Sequence, residues 1–150
     1  DASEELLEAG YRIEIPAAGA TGRLPRSRLR CSRSFDFESF ETRFDYGIAF
    51  SVFTHLPLNS IRTCIEKWVA VASPGARLYA TYFSAPTDEP LWPARRQPAG
   101  QVVTYGDRDP FHYRFEDLAF VANAVGWLVH DIGGYHHPRG QRMAMFKQRV

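Results

Sequence analysis

Residues 44–83 read FDYGIAFSVFTHLPLNSIRTCIEKWVAVASPGARLYATYF, and this stretch decides the fold. Within it, 46–52 (YGIAFSV) is a short apolar run with almost no polar interruption, the pattern of a strand covered on both faces. Pro57 suits the first turn of a helix, where a missing N–H costs nothing. From there Leu58, Ile61, Ile65, Trp68, Val69 and Ala72 follow helical spacing, while Asn59, Arg62, Glu66 and Lys67 fall elsewhere on the wheel. Ser73-Pro74-Gly75 ends that helix, and 77–83 (RLYATYF) reads as a second strand. A strand–helix–strand unit of this kind predicts a parallel pair with a right-handed crossover.

Working outward, the upstream segment starts a helix at Ser3, with Glu4 and Glu5 in its first turn and Leu6 and Leu7 behind them. Gly10, Pro16 and Gly19 predict that this helix is short. Residues 16–28 are a loop by composition, 29–34 read as a strand, and Phe35, Asp36 and Phe37 leave it. Downstream, 84–110 contains Pro86, Pro90, Pro93 and Pro98. An irregular connection of that length is a functional lid or a disordered excursion. Residues 114–125 return to helical spacing, closed by Gly126. Residues 127–132 and 142–147 are strand-like, and the Gly133, Gly134 and HHPRGQ segment between them predicts a hairpin with a long loop.

The chain has 150 residues, the size of one domain, and is 45% hydrophobic and 14% aromatic, enough for a buried core. Its 18 Lys and Arg nearly balance 17 Asp and Glu, which argues against a nucleic-acid binder. No apolar run approaches the roughly 20 residues of a membrane span. Two cysteines cannot form a disulfide framework, which points to a reducing, cytoplasmic setting. Cys31 falls on the predicted strand and Cys64 on the apolar side of the helix, both behaving as small hydrophobes. The five histidines show no His-x-x-x-His spacing, so no metal site is expected. Arg23, Arg26, Arg28, Arg30 and Arg33 make a basic run that reads as a solvated loop more readily than as an RNA patch.

Two features suggest ligand chemistry. Asp1, an acid just ahead of a helix, fits either a ribose-binding carboxylate or a simple cap. Phe50, Ser51, Val52 and Phe53 close the first strand at the edge where open α/β sheets bind ligands, and Phe35 and Phe37 leave another strand near it. Together they suit a flat ligand such as adenine.

Put in order, DASEELLEAGY, FDYGIAFSVFTHLP, the helix, SPGARLYATYF and the terminal HPRGQRM segment resemble a class I S-adenosylmethionine-dependent methyltransferase. The resemblance covers essentially all of the 150 residues as one partial domain. It implies an α/β, Rossmann-like methyltransferase sheet with a C-terminal antiparallel hairpin, missing its first strand and most of its second. In the family's strand order, three-two-one-four-five-seven-six, the Gly-rich cofactor loop would precede Asp1, and the 150 residues alone would be an incomplete catalyst. The resemblance further implies that Asp1 holds the ribose hydroxyls. It puts Ser34, Phe35 and Asp36 in the turn facing the adenine, with Ser34 or Asp36 as the bonding group. Phe50 and Ser51 come beside the methionine and sulfonium of the cofactor. His55, His112 and His137 are candidate general bases for an acceptor that must lose a proton. The reading is thus a transferase acting on a small-molecule acceptor with S-adenosylmethionine. Two rivals stay open, a non-catalytic Rossmann-like interaction module and a nicotinamide-dependent dehydrogenase fragment.

Overall fold

The computed structural model describes residues 2–99 and 101–149. The chain divides into two compact units, Asp1–Glu41 and Thr42–Val150. In the first, helix α1 (Glu4–Ala9) starts where expected: Ser3 Oγ accepts the Leu6 N–H at 3.3 Å, and Glu4 and Glu5 favour the helix dipole. The predicted stop at Gly10 does not occur. The backbone widens into a π-turn over Gly10–Glu14, with the Ile15 N–H reaching Gly10 O, and then runs into α2 (Ile15–Ala17). A glycine weakens a helix by only about 1 kcal/mol relative to alanine and does not break it. Pro16 follows directly on the widened turn, at the start of α2.

The strand predicted at 29–34 is absent. Leu29 is extended (φ −101°, ψ 131°), yet among the described residues no segment runs alongside to take ladder hydrogen bonds. Extended backbone becomes a strand only when a neighbour pairs with it. Cys31, expected on that strand, is exposed. Single 3₁₀ turns at Arg26–Arg28 and Glu38–Phe40 supply the remaining local order, and none of the described residues of this unit is buried.

The second unit carries the core. Strand β1 (Phe44–Ala49) leads through a 3₁₀ turn (Phe53–His55) to α3 (Leu58–Val71), which begins directly after Pro57. Strand β2 (Ala72–Ser84) follows, parallel to β1 with Tyr46 opposite Arg77 and Ala49 opposite Ala80. The Ser73-Pro74-Gly75 stop becomes a bulge inside β2, where the register jumps between Phe44 and Tyr46 and Gly75 takes φ +79°. Two short strands, β3 (Arg95–Arg96) and β4 (Val103–Thr104), pair as a hairpin within the long connection. Strand β5 (His112–Tyr113) then pairs with the end of β2. Helix α4 (Phe115–Ala124) precedes β6 (Trp127–Gly134) and β7 (Arg142–Gln148), which form the expected antiparallel hairpin. The sheet order is β1-β2-β7-β6, the expected parallel pair joined to that hairpin.

One expectation for β1 is corrected. Its apolar run predicts cover on both faces and an end at Val52, but the strand stops at Ala49 and one face is open, with Tyr46 69% and Ile48 70% exposed. β1 is the outermost strand of the path β1-β2-β7-β6, paired along only one side, and α3 packs on the opposite face. There Gly47 lies against the Trp68 ring and Leu78, with Ile61, Ile65, Ala80, Ala144 and Phe146 buried. Burying each large side chain of this set contributes roughly 1.5–3 kcal/mol.

Candidate functional site

The C-terminal ends of the parallel pair β1 and β2 carry a polar floor and an aromatic wall. Beyond β1 the chain turns at Ser51, a non-glycine residue at φ +54°. The turn is held from below: the Ser51 N–H donates to Thr81 Oγ1 at 2.7 Å. Thr81 Oγ1 in turn donates to Gln141 Oε1 at 2.6 Å, and Ser51 Oγ donates to the same amide oxygen at 3.2 Å. Thr54 Oγ1 closes the turn on Ser51 O at 3.1 Å. Thr81 and Gln141 are buried, so this three-residue network fixes a left-handed backbone that serine alone disfavours.

Phe50, half exposed at 51%, leans on residues from the β6–β7 loop. Its ring centroid is 5.1 Å from His137 and 6.2 Å from Tyr135, and Tyr135 and His137 are 5.7 Å apart. His137 Nδ1 accepts the Arg139 N–H at 3.2 Å. Desolvation, followed by the charge of Arg139, holds this imidazole below its ordinary value, which favours the neutral ring at neutral pH.

The other two candidate histidines differ sharply. His112 is fully buried, and both ring nitrogens are committed: Nε2 donates to Leu91 O at 2.8 Å and Nδ1 accepts from Thr104 Oγ1 at 2.9 Å. Gln97 Nε2 completes the chain by donating to Thr104 Oγ1 at 2.8 Å. Burial lowers the His112 pKa, and its ring holds the 84–110 connection in place with no nitrogen left for a substrate. His55 is exposed, and its Nδ1–H donates to Asp109 Oδ1 at 2.6 Å. The two segments that carry this pair are stitched together by the Phe111 N–H on Thr54 O at 2.7 Å and by the Tyr113 hydroxyl on Leu56 O. A histidine whose Nδ1 is fixed by a carboxylate turns its Nε2 lone pair outward, the arrangement of an oriented general base. Nothing in the sequence pairs His55 with Asp109, 54 positions away; the fold does.

Of the residues expected to face the cofactor, Asp1 lies outside the described residues. Ser34, Phe35 and Asp36 share one tight turn built on Ser32, whose Oγ accepts the N–H groups of Ser34 and Asp36, each at 3.2 Å. Phe35 sits at φ +56°, its ring 6.4 Å from Phe37. In the basic run, Arg26 pairs with Glu4 and Glu8, Arg30 lies 5.2 Å over the Phe40 ring, and Arg33 donates to Ala2 O at 3.3 Å. Arg26 accordingly lowers the Glu8 pKa, chiefly through their hydrogen bond. Cys64 is buried, its thiol pushed up to about 12 by desolvation, which removes it as a nucleophile. Among the described residues no helix is long and apolar enough to cross a membrane.

No family model matches the chain, and no curated protein matches it in sequence. Solved structures do match. Magnesium protoporphyrin IX methyltransferase from Synechocystis, with bound S-adenosylmethionine, superposes at TM-score 0.64 and 13% identity, over 99% of this chain and 57% of that one. An S-adenosylmethionine-dependent methyltransferase from Clostridium acetobutylicum gives TM-score 0.68 and 11% identity, over 100% of this chain and 74% of that one. An amino pentose methyltransferase from Micromonospora echinaspora, also with S-adenosylmethionine bound, gives TM-score 0.60 and 17% identity, over 89% and 71%. The chain therefore spans little more than half the length of the first of these relatives. At such identities the likeness shows the fold, that of the class I S-adenosylmethionine-dependent methyltransferases.

Proposed function

We propose that the protein transfers a methyl group from S-adenosylmethionine to a small-molecule acceptor. The observation that carries this reading is the edge at Phe50 and Ser51, on a fold shared with enzymes that hold that cofactor. S-adenosylmethionine supplies a methyl carbon already activated on a positively charged sulfur. The edge suits such a cation: Phe50 and Tyr135 offer aromatic faces, and the environment of His137 favours its neutral ring.

Phe50 and Ser51 flank the reacting end, while Asp1 accepts from the ribose hydroxyls and Ser34, Phe35 and Asp36 face the adenine. Positioning does most of the work, because in-line displacement from a good leaving group needs little side-chain chemistry. Where the acceptor is a hydroxyl or an amine, His55 takes its proton at Nε2, and Asp109 fixes the tautomer and steadies the imidazolium that forms. Calorimetric titration of the full-length protein with S-adenosylhomocysteine tests the reading. Saturable one-to-one binding supports it, and absence of binding removes it.

A further inference from the structure

Arg77 of β2 stands directly opposite Lys147 of β7 in the antiparallel ladder. Residues so paired leave the sheet on the same face with Cβ atoms about 4.5–5.5 Å apart, and like charges there destabilise the pair. Arg149, two positions further on, adds a third cation. All three line one cavity of about 380 Å³, together with Gly75 and Gln148.

Five arginines meet carboxylates: Arg12 with Glu8, Arg26 with Glu4 and Glu8, Arg62 with Glu66, Arg95 with Glu89, and Arg142 with Asp131. Among the described residues, no carboxylate lies within ion-pair distance of Arg77, Lys147 or Arg149. Arg149 is instead aimed by a neutral group, its Nη2 donating to Asn123 Oδ1 at 2.9 Å. The β2 bulge brings the Gly75 N–H to the same wall, where it makes a long bond of 3.3 Å to Gln148 Oε1. Arg77 and Arg149 are exposed and Lys147 is half-buried, so the three cations present a solvated basic surface that an anion can reach.

We propose that this cavity is a binding site for a small phosphate-bearing ligand. Three converging cations call for a multiply charged anion, and a phosphate monoester carries about −1.5 to −2 with three acceptor oxygens at neutral pH. Arginine forks match those oxygens in bidentate fashion. The volume lies at the small-molecule end of ligand sites, which run from about 300 to 1,000 Å³. The site is separate from the methyl-transfer edge: Thr81 lies four residues along β2 from Arg77, about 13 Å at strand rise. It stands whether or not the methyl-transfer reading does.

The test is an amide-resolved NMR titration of the 150-residue chain with inorganic phosphate and, separately, ribose 5-phosphate, against sodium chloride at matched ionic strength. Saturable shifts confined to Gly75, Arg77, Lys147, Gln148 and Arg149 are expected with the phosphates and not with chloride. Tighter binding of the sugar phosphate assigns the site to phosphorylated metabolites, and equal binding assigns it to free phosphate. Arg77→Gln and Lys147→Gln should each weaken the phosphates by at least about tenfold. In phosphate-free, low-salt buffer the same variants should melt no lower than wild type, since each relieves a like-charge pair. Equal shifts with chloride, or variants that bind phosphate as wild type does, overturn the proposal.

Discussion

His55 and His112 show how one residue type divides into two jobs by environment. His55 and Asp109 are more than half exposed, so their hydrogen bond adds little to stability. As base and positioning residue they predict a specific pattern. His55→Gln and Asp109→Asn should leave the melting temperature within a degree or two, on the order of a surface substitution. In the same variants kcat for the protein's own acceptor should fall by about a hundredfold or more for His55→Gln, and less for Asp109→Asn. The Asp109→Asn loss should come with an altered pH–rate profile and be partly restored in Asp109→Glu. Unchanged kcat with a lowered melting temperature would reduce the pair to a tether.

His112 gives the opposite signature. Its pKa is lowered in the folded protein, so the unfolded chain binds the proton more tightly. Stability from this residue is complete above the unfolded value of about 6.5 and is lost as pH falls below it toward the lowered folded value. Thermal melts between pH 8 and pH 5 should therefore fall in wild type. His112→Gln should start lower, by about 1–3 kcal/mol for the broken buried bonds, and show a flatter pH dependence. Parallel pH curves for the two proteins would contradict this account of the buried ring.

At the scale of elements, the parts read correctly from the sequence are those where periodicity and turn chemistry agree. The 57–72 apolar spacing and the 77–83 run place α3 and β2, while Ser73-Pro74-Gly75 follows the helix end but lies inside β2 as a bulge and does not separate the two elements. The 29–34 strand failed because strand formation depends on a partner, which local sequence does not reveal. Among the described residues of the 84–110 connection, Gln97 and Thr104 are buried and bonded through to His112, a relay assembled from residues that share no spacing. Gly47 is likewise silent in sequence, yet a Cβ there would sit 2.8 Å from Trp68 Cη2 and 3.0 Å from Leu78 Cδ1. Gly47→Ala should destabilise by about 1–3 kcal/mol through overpacking of β1 against α3. Urea unfolding with an unchanged midpoint would show that this contact is looser than described.

Across the whole molecule, burial is uneven. Among the described residues every fully buried large side chain lies between Phe53 and Phe146, and the first unit contains none. Hydrogen exchange should then be slowest in 46–49, 78–82 and 143–146, where β1, β2 and β7 pair, and fast before residue 42. Uniform protection along the chain would mean that the first unit is held by contacts of a different kind. The candidate site was legible in the same uneven way. Phe50 and Ser51 follow from the end of an apolar strand, whereas Thr81, Gln141, Tyr135 and Asp109 enter only through the fold.

The central claim is that this fold grips S-adenosylmethionine through a ribose-binding acid at Asp1, and the most direct test is calorimetry of the full-length protein with S-adenosylhomocysteine. One carboxylate accepting two ribose hydroxyls makes two charge-assisted bonds, each worth roughly 1.5–3 kcal/mol before compensation by water. Asp1→Ala should therefore bind at least about tenfold more weakly than wild type, while Arg26→Ala and Arg28→Ala bind as wild type does. Equal affinity for wild type and Asp1→Ala, or no measurable binding by either, would contradict the account.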